Sequence, residues 1–138
     1  MAAGISLNEA SVNRTELLQF LSKIDLFLFF SPEDLAGFLE KSTEVQLAKG
    51  VILFREGDPG QEMYLVLRGM IKVFRGNRGI DIIKPGDYFG EMAIIEDQPR
   101  SASVAALEDS LLLQVPLAVF QEYFSRQPKS LVAMMQTL

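Results

Sequence analysis

The sequence predicts a mainly β domain with flanking helices (α+β). Hydrophobic residues recur at helical spacing before Lys41 and again after Pro116. Between those points the apolar runs are short, rich in β-branched and aromatic residues, and separated by glycine-bearing turns. The order is helices, about eight strands, then helices, and closely spaced short strands of this kind indicate a sandwich or a barrel.

The elements follow in chain order. Residues 1–12 are small and polar and read as a flexible N-terminal arm, leaving 13–138 as the folded domain. Leu17, Leu18, Leu21 and Ile24 give a helix over Asn13–Ile24, capped by Asn13 or Thr15. Ser31 suits an N-cap, Pro32 a first helical position, and Glu33 and Asp34 the positive end of the dipole of a second helix. Leu35, Phe38 and Leu39 form its buried stripe. Phe27, Phe29 and Phe30 are assigned to the core or to a helix-to-barrel contact.

Strand runs then follow at Val45 and Leu47, Val51–Phe54, Met63–Leu67, Met70–Phe74, Ile80–Ile83, Ser101–Leu107 and Leu111–Val115. Gly57, Gly69 and Gly86 read as turn glycines, and Arg75–Gly79 as a hairpin tip. After Pro116, Val119, Phe120, Tyr123 and Phe124 make an apolar helical face. Pro128 starts a last helix whose Met134 and Met135 read as ordinary apolar surface.

Composition narrows the chemistry. The chain has 138 residues, 49% of them hydrophobic, which suits one domain with a real core. It has no cysteine and no histidine. A disulfide scaffold, a thiolate-held iron–sulfur cluster, a cysteine nucleophile, His-held zinc or haem, and Ser-His-Asp catalysis are therefore excluded. A metal-dependent cupin-like enzyme loses its usual ligands for the same reason. Net charge is -5 and the pI is near 4.7, so nothing suggests a basic nucleic-acid-binding face. The N-terminus lacks the pattern of a signal peptide, and the apolar run Leu26–Phe30 is too short to cross a bilayer. A cytoplasmic protein with no membrane insertion is expected.

One stretch fits neither strand nor ordinary helix: Phe89-Gly90-Glu91-Met92-Ala93-Ile94-Ile95-Glu96-Asp97-Gln98-Pro99-Arg100-Ser101-Ala102. Gly90 permits a sharp turn, and Glu91–Ile95 can form one helical turn whose free N–H groups suit an anion. Arg100, at the start of the next strand, supplies a planar guanidinium matched to phosphate, and Ser101 adds a hydroxyl. A carboxylate such as Glu91 repels phosphate and is better explained as an acceptor for sugar hydroxyls. The constellation describes a ligand with one phosphate and a free ribose hydroxyl. Taken alone, Glu91 is a favourable helix N-terminal residue and Arg100 a surface ion pair worth about 0–1 kcal/mol. Glu96 and Asp97 read as a solvated loop. Glu62 and Arg68 have no assigned role.

This stretch resembles the phosphate-binding cassette of the cyclic nucleotide-binding domain family, which includes the catabolite activator protein and the regulatory subunits of cAMP-dependent protein kinase. The pattern Phe-Gly-Glu, apolar, Ala, two apolar residues, a variable loop, then Pro-Arg-small-Ala is complete here. The run Phe54-Arg55-Glu56-Gly57-Asp58-Pro59-Gly60 through Tyr64 to Gly69 resembles the family's early strands and turn. The resemblance implies an eight-stranded antiparallel jelly-roll barrel with N-terminal helices, a short cassette helix and C-terminal helices. It implies that Glu91 accepts the ribose 2′-hydroxyl and that Arg100 holds the cyclic phosphate. Backbone N–H groups near Gly90, Met92 and Ala93 complete the phosphate cradle, and Ser101 or Ala102 contacts the same oxygens. Phe89 and Pro99 belong to the matching pattern, and Val73, Ile83 and Val104 are expected to wall the base.

The function so implied is a sensor without catalytic activity, which binds cAMP or cGMP, needs no cofactor and signals through its C-terminal helices to a homodimer partner or an effector domain. Ser101 directly after the cassette arginine favours cAMP, because threonine there is associated with cGMP readers. The competing expectation is a ligand-blind protein-interaction module that keeps the fold. Transcription-factor members carry a helix-turn-helix domain after this one. Because the sequence stops at Leu138, no DNA binding by this chain alone is expected.

Overall fold

The computed structural model describes residues 13–125. The expected arm over 1–12, and the last helix from Pro128 with Met134 and Met135, lie outside the described residues.

Local signals start the two N-terminal helices. In α1 (Arg14–Ser22), the Asn13 side chain accepts a hydrogen bond from the Glu16 N–H at 3.1 Å. In α2 (Pro32–Glu40), Ser31 Oγ accepts from the Asp34 N–H at 3.0 Å. Asp34 Oδ2 accepts in return from the Ser31 N–H at 3.4 Å, closing a capping box behind a proline at the first turn. Between the helices, Asp25–Phe27 forms one 3₁₀ turn. Phe27 and Phe30 are buried as expected, with ring centroids 5.1 Å apart, but Phe29 is 49% exposed. The tight turn explains this correction: three residues per turn put positions 27 and 30 on one side and turn 29 away.

Eight strands follow: β1 (Thr43–Leu47), β2 (Ile52–Phe54), β3 (Glu62–Arg68), β4 (Ile71–Arg75), β5 (Arg78–Ile83), β6 (Tyr88–Phe89), β7 (Ser103–Ala106) and β8 (Ser110–Pro116). The short helix α3 (Glu91–Ile95) separates β6 from β7, and α4 (Leu117–Phe124) follows β8. The jelly roll is built from two four-stranded antiparallel sheets, β1-β8-β3-β6 and β2-β7-β4-β5. The expected barrel therefore takes the form of a sandwich and does not close into one ring. Phe89, read from sequence as the first residue of the cassette, forms the two-residue β6 with Tyr88, the pair lying opposite Tyr64 and Leu65 of β3. The β4–β5 hairpin turns at Gly76-Asn77, with Arg75 opposite Arg78, where a hairpin tip was expected.

Strands β3 and β8 are covered on both faces, which explains their nearly unbroken apolar sequences. Met63, Leu65, Leu67, Leu111, Leu113 and Val115 face the helices and pack with Phe27, Phe38, Phe120 and Phe124. The alternate residues Tyr64, Val66 and Leu112, together with Phe89 of β6, face the second sheet and pack with its Ile71 and Val104. The predicted α4 stripe, Val119, Phe120, Tyr123 and Phe124, is buried in the helix-side core. Ile94 and Ile95 of α3 pack against that same core. The cassette thus lies between the inter-sheet space and the C-terminal helix.

Candidate functional site

The site is assembled where the 55–60 turn meets the cassette. The Arg100 N–H donates to the Asp58 carbonyl at 2.9 Å, and the Gly57 N–H donates to the Arg100 carbonyl at 2.8 Å. Arg100 was expected to start a strand. This reciprocal pair ties its backbone to the turn, and β7 begins three positions later, at Ser103. The Ser103 hydroxyl accepts from the Glu56 N–H at 2.9 Å and fastens the same junction.

The Arg100 side chain is only 3% exposed. Its guanidinium carbon lies 4.2 Å from the Phe54 ring centroid and 6.0 Å from that of Tyr64. Nη1 donates to the Gly90 carbonyl at 3.2 Å. Nη2 pairs with Glu62 Oε1 at 3.1 Å. Nε is buried and has no hydrogen-bond partner among the described residues. A buried donor of this kind is costly unless an acceptor reaches it. Burial pushes the Arg100 pKa below its ordinary value, and the nearby Tyr64, Glu62 and Asp58 oppose that shift. Arginine stays cationic even so.

Gly90 is the N-cap of α3 and sits in the left-handed region at φ 84°. A Cβ there would come within 2.8 Å of Arg100 Nη1 and 3.2 Å of the Glu62 carbonyl, so backbone and guanidinium can meet only at glycine. No side chain caps α3. Burial raises the Glu91 carboxyl pKa, with a backbone hydrogen bond as the smaller opposing effect. Glu91 lines an open cleft of about 760 Å³ between the Lys23–Leu26 turn and the Asp81–Phe89 stretch, whose walls do not include Arg100.

The expected site residues therefore divide. Gly90 and Arg100 touch. Phe89 and Val104 are buried in the inter-sheet cluster, and Val73 and Ile83 pack against it at half burial. Val73 faces Val104 across β4 and β7. Ala93 and Ala102 are buried and Met92 is half-buried. Pro99 and Ser101 are exposed, and the Ser101 carbonyl accepts from Arg75 Nε at 2.7 Å. Among the neighbours of Arg100 that were not foreseen are Glu62, the Phe54 ring and the Gly60 backbone. The one sequence signal for them was an acid and a glycine inside the family-like turn.

Among the described residues, no group of three or more acids is placed to hold a metal ion. No helix among them is long and apolar enough to cross a membrane.

The sequence matches the family model described as "Cyclic nucleotide-binding domain" over residues 44–127. It is 30% identical over 116 residues to a cAMP-dependent protein kinase regulatory subunit of Hypocrea atroviridis, covering 83% of this chain and 25% of that protein. It is 35% identical over 102 residues to the cyclic AMP receptor protein of Thermus thermophilus, covering 70% of this chain and 45% of that one. The fold resembles the regulatory domain of Toxoplasma gondii PKA in its co-crystal with cAMP, with TM-score 0.74 and 25% identity, covering 82% of this chain and 46% of that one. The chain thus spans about a quarter of the first of these two curated relatives and less than half of the second.

Proposed function

The chain belongs to the cyclic nucleotide-binding domain family, and on that premise we propose that it is a non-catalytic sensor that binds cAMP in preference to cGMP. The supporting observation is the buried Arg100 guanidinium, which carries an unpartnered Nε donor beside the Gly90 turn. Arg100 would hold the cyclic phosphate, helped by the first N–H groups of α3 at Met92 and Ala93 and by Ser101 and Ala102. Glu91 would accept the ribose 2′-hydroxyl, and Val73, Ile83 and Val104 would wall the base. The relatives named for cAMP, and serine rather than threonine at position 101, favour cAMP.

Signalling would pass through the C-terminal helices to a homodimer partner or effector domain. The support is mechanical: Ile94 and Ile95 of α3 pack on the core that also holds Phe120 and Phe124 of α4, so a shift of the cassette would reach α4 through that shared core. The ligand-blind reading draws on one observation, the occupation of Arg100 Nη2 by Glu62. Calorimetric titration with cAMP, cGMP and linear 5′-AMP decides between them. Tight binding of cAMP with much weaker 5′-AMP supports the sensor. Heat from none of the three, on folded protein, supports the interaction module.

A further inference from the structure

Resting on the assignment of Arg100 to the ligand's phosphate, we propose that Glu62 is a built-in counter-anion: its carboxylate holds the place on Nη2 that a phosphate oxygen needs, and the two anions exchange on binding. Glu62 thereby sets the affinity of the site.

The two partners of this ion pair are held very differently. Arg100 cannot retreat, because its backbone is tied to Asp58 and Gly57, its guanidinium lies on the Phe54 ring, and Gly90 accepts from Nη1. The backbone of Gly60 lies against the guanidinium as well, where an added Cβ would meet Nε, Nη2 and Cζ. Glu62 is free to leave, since its side chain is 36% exposed and can swing into water. The other acid that acts on Arg100, Asp58, is already engaged, its carboxylate accepting from the Arg55 N–H at 3.0 Å.

Charge then decides the outcome. The pair is neutral as it stands. A phosphate monoanion added beside Glu62 would place two negative charges around one guanidinium in a partly desolvated site, where like charges repel strongly. Rehydrating the half-exposed carboxylate is the cheaper course, and it leaves Nη2 and the unpartnered Nε as adjacent donors for one phosphate. An ion pair that merely braced Arg100 would have the opposite consequence, because its loss would loosen the guanidinium and weaken binding.

The test titrates the full chain with cAMP as wild type, Glu62→Gln and Glu62→Asp, each checked for folding by circular dichroism. Glu62→Gln keeps the shape and removes the charge, and is expected to bind about tenfold or more tightly than wild type. Glu62→Asp, with a shorter reach to Nη2, is expected to fall between them. Wild-type binding that is unchanged or weakened in both variants overturns the counter-anion and leaves the sensor reading intact. Binding by Glu62→Gln with none by wild type supports the counter-anion and overturns the sensor reading for the natural chain. Binding by none of the three folded proteins overturns both.

Discussion

The backbone of Gly60 lies against the guanidinium of Arg100 so closely that one added carbon would overlap Nε, Nη2 and Cζ. With the Phe54 ring 4.2 Å from the guanidinium carbon, the charged group is bounded by backbone and by an aromatic face.

Gly60→Ala is therefore expected to act through Arg100. The methyl must push aside a side chain that is tied at Gly90 and Glu62, a form of overpacking that costs about 1–3 kcal/mol. Thermal unfolding reads the stability loss and calorimetry the accompanying loss of cAMP affinity. Wild-type values for both would show that the guanidinium has room to move.

Arg100→Ala is expected to weaken cAMP binding by about 2–5 kcal/mol, the cost of removing one partner from a desolvated charged contact. The fold should tolerate the change, since the half-exposed Glu62 can rehydrate. Equal affinity in mutant and wild type would reject the assigned role.

Glu91 gives a pH signature with a defined sign. Burial raises its pKa in the folded state, so the folded protein binds a proton more readily than the unfolded chain does. Its contribution is fully present below the ordinary carboxylate pKa and is lost as pH rises through the raised folded value. Glu91→Gln should flatten the decline in melting temperature over that interval. The same variant should bind cAMP more weakly than wild type, though less so than Arg100→Ala, because an amide is a poorer acceptor for a ribose hydroxyl. A 2′-deoxy ligand that binds wild type as well as cAMP does would remove Glu91 from the ribose.

Ser31→Ala should cost about 1 kcal/mol, since the Ser31 hydroxyl satisfies the Asp34 N–H at the start of α2. A drop in melting temperature with unchanged cAMP affinity is expected, because the cap serves the helix-side core. A loss of affinity would mean that α2 and the site are coupled.

Much of the architecture is written in short-range signals. Asn13 and Ser31 cap helices within three residues of themselves, and the change of apolar period at Lys41 and Pro116 separates helix from strand. The cassette is equally local: Gly90 and the helical turn Glu91–Ile95 lie within six consecutive positions, and the pattern was legible before any coordinate. Tyr88–Phe89 was missed as a strand because two residues carry no period, and only their pairing with Tyr64 and Leu65 makes β6. Phe29, expected in the core or in a helix-to-barrel contact, is 49% exposed; hydrophobicity alone does not say which way the chain turns after Asp25–Phe27.

The helix–strand–helix order apart from β6, the caps, the buried stripes of α2 and α4 and the family-like cassette were legible in the sequence, because each depends on residues a few positions apart. Only the tertiary structure decided that the strands divide into two sheets, that Arg100 is walled by Phe54 and Gly60, and that Glu62, 38 residues away, takes its Nη2. The physical reason is that such contacts arise where the 55–60 turn and the cassette are hydrogen-bonded across the fold, and no periodicity along the chain records which distant groups that junction brings within reach of each other.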